Sequence, residues 1–164
     1  MLSPLLQAVE KAYGYPSWVH PAMPLPLNSF DPDRNQYYST AILKRMLKHL
    51  PKNALKVLGL TSVDLFIPIM KFIFGEAQFE GRGALFSFYR LRPEFYGSES
   101  DWNTLLFRCT KEAIHELGHT FGLPHCLQPD CVMHSSSGIQ DTDRKTDRLC
   151  PTCDELFRWH NKIR

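Results

Sequence analysis

A chain of 164 residues, 43% hydrophobic and 22% charged, has enough apolar material to bury a core without disulfides and is too mixed to be disordered or fibrous. Its formal net charge of +2, with basic residues scattered apart from Arg144, Lys145 and Arg148, marks out neither a nucleic-acid surface nor a membrane surface. No apolar run is long enough to span a bilayer, and residues 1–15 lack the plan of a secretory leader, so the expectation is one cytoplasmic, monomeric domain over 1–164.

The first element predicted is a short helix, since Leu5, Leu6, Val9 and Ala12 keep helical spacing before Gly14. Pro16, Pro21, Pro24 and Pro26 then favour an extended or turn-rich segment. From Arg34 to Leu50, Tyr38, Ile42, Met46 and Leu50 recur every fourth residue with Leu43 and Leu47 beside them, which predicts an amphipathic helix closed by Pro51. Leu55, Val57, Leu58 and Leu60, followed by Leu65 and Phe66, read as a buried strand, expected to be central. Ala84 to Leu91 alternates after the glycines of FEGRG and is expected as a strand near an edge. Asp101 or Asn103 can cap a last long helix reaching about Phe121, and the part of the chain beyond Gly122 is expected to be small and irregular. Helices mixed with strands make this an α/β or α+β chain.

Chemistry concentrates in HELGHTFGLPH, residues 115–125. His115 and His119 stand one helical turn apart on one face, where two imidazoles can share an ion. Leu106, Cys109, Ala113 and Leu117 fall on the opposite face and can be buried. Gly122 ends the helix and Pro124 discourages its resumption, so His125 can swing back toward the same point. Three neutral ligands leave a fourth position for water, whose pKa a catalytic zinc lowers to about 7. Glu116, about 100° around the helix from His115, is the candidate general base. The five fixed residues of this pattern would arise by chance in roughly one chain in twenty thousand of this length, so accident is a poor competitor.

Cys126 and Cys131, then Cys150 and Cys153, have the spacings of a structural zinc knuckle, and four thiolates would close a tetrahedral site. Disulfides or a redox Cys-x-x-Cys compete with that assignment. Cys109 lies on the buried stripe of the long helix and is assigned to neither site.

HELGHTFGLPH resembles the metzincin consensus HExxHxxGxxH, and Met133 resembles that clan's Met-turn residue. Cys126 and Cys131, the Cys131-Val132-Met133 step and Cys150-Pro151-Thr152-Cys153 are similar to one subgroup, the archaemetzincins. RNQYYSTAIL at 34–43, FIFGEAQ at 72–78 and ALFSFYRL at 84–91 carry the same likeness through most of the chain.

The resemblance implies a twisted mixed sheet with helices over 1–122, ending in the active-site helix, and a C-terminal subdomain over 123–164 holding the third histidine, the Met-turn and the cysteine knuckle. The strand around Ala84 to Phe88 is expected to border a cleft in which an extended peptide lies. Family members open with a strand before the first helix, whereas this chain begins at the helix. The expected activity is zinc-dependent peptide hydrolysis, with two zinc ions per chain: one catalytic, on His115, His119 and His125, and one structural, on Cys126, Cys131, Cys150 and Cys153. The alternatives are a catalytically weak zinc protein that binds peptides, and a thiol redox protein using Cys150 and Cys153. His134, next to Met133, is read as a solvated loop histidine. No tyrosine stands just after the Met-turn, so no side chain is assigned to the oxyanion.

Overall fold

The computed structural model describes residues 2–162. Helix α1, Leu2–Tyr13, gives way at Gly14, whose φ of 75° is left-handed. Residues 14–26 hold no regular structure, since four prolines remove the N–H groups that a ladder needs. The chain then forms β1 (Phe30–Asp31), β2 (Gln36–Tyr38), α2 (Ser39–Lys48), β3 (Val57–Thr61), β4 (Leu65–Phe66), β5 (Gly75–Ala77) and β6 (Gly83–Ser87). After 3₁₀ turns at Tyr89–Leu91 and Pro93–Tyr96 come α3 (Trp102–Thr120), α4 (Ile139–Arg144) and α5 (Pro151–His160).

The strands make two mixed sheets, one in the order β1-β2-β4 and one in the order β3-β6-β5. In the second, β6 runs parallel to β3 and antiparallel to β5. This reverses the expected places of the two apolar runs. The run at 84–91, expected at an edge, is central, and the run beginning at Leu55 supplies an edge strand. All five residues of β6 are buried while those of β3 are half-buried, a distinction set by sheet order that two similar apolar runs cannot reveal. Between the outer side of β3, α1 and residues 15–26 runs a mostly apolar groove of about 1130 Å³.

Two boundaries also differ from the periodicity. The expected helix over 34–50 begins only at Ser39, because Gln36–Tyr38 pairs as a strand with β4. Buried Gln36 donates from Nε2 to Asp64 Oδ2 at 3.0 Å and to the Lys71 carbonyl at 3.1 Å, and Tyr37 N–H donates to the Asp64 carbonyl at 2.8 Å. These long-range bonds outweigh a helical spacing that Tyr38 still satisfies. The strand expected to reach Leu91 stops at Ser87, whose hydroxyl donates to the Val63 carbonyl at 2.6 Å and accepts from Tyr89 N–H at 3.0 Å, turning the chain.

Helix α3 is the spine. Asp101 caps it, accepting from Asn103 N–H at 2.9 Å. Cys109 and Ala113 pack with Leu5, Phe74, Phe86 and Leu91, whereas Ile114 and Leu117 pack with Tyr13, Phe121, Leu123, Val132 and Met133. Every residue from Arg108 to Gly118 is buried, so the polar side of the helix is covered as well as the apolar one. The segment after Met133 covers it. Arg108 forks onto Asp143 with both contacts at 2.7 Å, and Lys111 Nζ donates to the Thr142 and Asp143 carbonyls at 2.8 and 3.1 Å. Lys145 Nζ meets Glu112 Oε1 at 3.1 Å. Among the described residues no helix is long and apolar enough to cross a membrane.

Candidate metal centre

His115 and His119 leave the last two turns of α3 from one face, and Gly122, with φ of 89°, turns the chain so that His125 returns to them. One ligand atom from each of the three histidines lies within 4.8 Å of the others. His115 Nε2 and His119 Nε2 are 3.1 Å apart, close to the roughly 3.3 Å edge of a tetrahedron built on Zn–N bonds of about 2.0–2.1 Å. Backbone carbonyls set the ring orientations: Nδ1 of His115 donates to the Val132 carbonyl and Nδ1 of His119 to the Leu123 carbonyl, each at 2.8 Å. With Nδ1 carrying the proton, both Nε2 lone pairs face the common point.

Electrostatics favour neutral ligands. Burial pushes His115 well below the ordinary histidine pKa, with Lys145 adding to it, and burial brings His119 down to about 4. His125 is lowered by burial and by Lys145. Glu116 moves the other way: burial, helped by Glu112, raises its carboxyl well above the usual range. A donor set of three uncharged imidazoles beside a carboxylate that prefers a nearby cation fits zinc.

The four cysteines meet in a second cluster, again with ligand atoms within 4.8 Å. Cys126 Sγ and Cys150 Sγ are 3.7 Å apart, far beyond the disulfide length of about 2.04 Å and close to the roughly 3.8 Å edge of a tetrahedron with Zn–S near 2.3 Å. All five cysteines are free. Cys109 stays apart in the core, where burial drives its thiol up to about 12 and makes it a poor ligand. Met133 is fully buried against Gly118, between His115 and His119 in the helix, and its carbonyl accepts from Cys126 N–H at 2.9 Å. His134, expected to be solvated, is half-buried, with Nδ1 2.9 Å from the Cys126 carbonyl.

The edge strand beside Glu116 is β5, whereas the strand around Ala84 to Phe88, which the resemblance put at the cleft, is the central strand of its sheet. The Cβ position of Gly75 is 2.5 Å from Glu116 Oε1, so the strand lies directly on the candidate base. Sequence reasoning passed over this glycine, and also Gly118 and the Glu112–Lys145 pair. A glycine inside HELGH, which costs a helix about 1 kcal/mol, was the available signal for Gly118.

Residues 29–158 match the sequence signature of Peptidase family M54. The chain belongs to that family. It is 44% identical over 133 residues to an archaemetzincin of Methanocaldococcus jannaschii, covering 81% of this chain and 72% of the relative. The crystal structure of an archaemetzincin from Methanopyrus kandleri superposes with a TM-score of 0.89 at 36% identity, over 98% of this chain and 86% of that one. A zinc-dependent peptidase from Methanocorpusculum labreanum superposes with a TM-score of 0.84 at 32% identity, over 94% and 92% of the two chains. Membership places the M54 chain among the zinc metallopeptidases, as the motif implied.

Proposed function

We propose that this chain hydrolyses peptide bonds at the point where His115, His119 and His125 converge, with Glu116 as general base and then general acid. The observation that carries the proposal is that three imidazole nitrogens within 4.8 Å of one another lie beside a buried carboxylate under an open strand edge. A zinc ion held there would supply a Lewis acid for a carbonyl and lower the pKa of water to about 7.

The residues of the chain do the rest. Glu116 takes a proton from the attacking water at its carboxylate and delivers it to the leaving amine. The bond from Ser87 N–H to the Phe74 carbonyl and that from Gln78 N–H to the Gly83 carbonyl leave Gly75 and Ala77 with their N–H and C=O groups directed away from β6. An extended peptide pairs with those groups and is drawn across Glu116. The chain after Gly122 forms the lower wall, so 1–122 and 123–164 are the two halves of one catalytic domain. Met133 acts as the Met-turn residue. Cys126, Cys131, Cys150 and Cys153 would hold a second, structural zinc, which would lend folding energy to the C-terminal part.

Zinc content per chain, before and after mild chelation, and hydrolysis of a random peptide mixture by wild type and Glu116→Gln test this together. Two zinc ions, one labile, with cleavage that disappears in the variant, are expected. Cleavage that persists in Glu116→Gln removes Glu116 from the mechanism, and no cleavage by zinc-replete wild type makes the chain a binding protein.

A further inference from the structure

Gly75 sits in β5 with no conformational need to be glycine. Positive φ is confined, among glycines, to Gly14, Gly97 and Gly122, so the backbone of Gly75 is one that any residue adopts. A glycine inside a strand sacrifices packing and costs roughly 0.5–1 kcal/mol relative to alanine. Its surroundings supply a steric reason instead. A β-carbon built on Gly75 would lie 2.5 Å from Glu116 Oε1, 2.6 Å from Cδ and 2.7 Å from Cγ.

These distances differ in kind from those at other crowded strand glycines. At Gly83 the nearest atom is Leu47 Cδ2 at 2.6 Å, and at Gly59 the two nearest are Leu85 Cδ1 and Met46 Sδ at 2.9 Å, ends of side chains that can rotate aside. At Gly75 three consecutive atoms of one side chain stand in the way, from Cγ outward. Glu116 is only 5% exposed and rises from a stretch of helix that is buried throughout, so moving it aside disturbs packed neighbours.

We infer that Gly75 is a positioning residue for Glu116: its bare α-carbon lets the carboxylate rest against the edge strand, directly beneath the main-chain groups that pair with a peptide. The same residue therefore contributes its outward N–H and C=O to substrate and its missing side chain to the base, which sets the height of the carboxylate under the scissile bond. The inference rests on Glu116 acting as base, but the packing it invokes is measurable without any hydrolysis.

The test compares Gly75→Ala, Glu116→Ala and the double variant with wild type. Melting temperature and zinc content are read for all four, and kcat and KM for wild type and Gly75→Ala on a quenched-fluorescence peptide chosen from a random mixture. In the wild-type background Gly75→Ala is expected to lower kcat by tenfold or more, toward the roughly hundredfold that a displacement of about 1 Å costs. KM is expected to change less than about twofold, with zinc content unchanged, as for a group acting on the reacting atoms alone. The melting temperature should drop in Gly75→Ala, and at least half of that drop should vanish when Glu116→Ala is also present. A Gly75→Ala protein that fails to fold, rescued by Glu116→Ala, supports the same contact. An equal loss of stability in both backgrounds, failure of both to fold, or full kcat in Gly75→Ala overturns the inference. Persistent cleavage in Glu116→Gln would instead remove the assigned mechanism and leave the stability comparison to judge the contact by itself.

Discussion

The thioether of Met133 packs onto the bare α-carbon of Gly118, one residue before His119, so that a β-carbon there would collide with its sulfur and approach Tyr13 Oη to 3.0 Å. Met133 is fully buried, so its withdrawal displaces packed neighbours. Alanine for glycine in a helix ordinarily gains about 1 kcal/mol, while overpacking a filled core costs about 1–3 kcal/mol. Gly118→Ala is therefore expected to be a net loss of about 1 kcal/mol, read by urea denaturation. A variant more stable than wild type would mean that Met133 gives way easily and is no rigid floor.

Glu112 and Lys145 form an ion pair whose side chains are 3% and 0% exposed. Thr142 Oγ1 adds a hydrogen bond to Glu112 at 3.3 Å. Losing one partner leaves a buried charge alone, at a cost of about 3–5 kcal/mol, whereas replacing both by apolar groups of similar volume is often neutral. Lys145→Met should thus unfold at much lower denaturant than wild type, and Glu112→Leu combined with it should recover most of the loss. Additive losses in the double variant would contradict a direct pairing.

The histidines make stability depend on pH when zinc is removed. Their folded pKa values lie below the ordinary 6.5, and His119 lies near 4. A depressed value contributes stability that is present above 6.5 and lost as pH falls through the folded pKa. Chelated protein should therefore lose stability between about pH 6.5 and pH 4. Glu116, whose folded pKa is raised, contributes in the opposite sense: its stabilisation is present below 4.5 and lost as pH rises through the folded value. In chelated protein Glu116→Gln should consequently gain stability relative to wild type as pH rises toward 8, because the neutral amide has no ionisation through which stabilisation is lost. Urea midpoints from pH 4 to pH 8 check both slopes.

Three consecutive residues join the two candidate metal clusters. Cys131 belongs to the thiol cluster, the Val132 carbonyl orients His115 at 2.8 Å, and Met133 packs on Gly118 beside His119. Cys131→Ser is expected to lower zinc affinity at the histidine cluster about 10–100-fold, as for a lost orienting group, although it touches none of the three imidazoles. Competition with a chromogenic chelator measures this, and an unchanged affinity would mean that the clusters are independent.

Spacing along the chain was sufficient for whatever depends on neighbours in sequence. One helical turn separates His115 from His119, Gly122 ends that turn, and the cysteine pairs stand at knuckle spacing, so both candidate clusters could be named before any coordinates. Periodicity also located α1, most of α2 and nearly all of α3. Contacts distant in sequence decided the remainder. Gln36 bonds to Asp64 and to the Lys71 carbonyl, and Tyr37 to the Asp64 carbonyl, which converts the start of a helix-like pattern into a strand. The order β3-β6-β5 buries one apolar run on both sides and leaves its near twin at the edge. The strand resting on Glu116 is a three-residue segment with no hydrophobic period, whose importance lies in the absence of a side chain at Gly75. Local geometry carries its own signature into the sequence, whereas which surfaces meet depends on the total burial of the whole chain, which no short window contains.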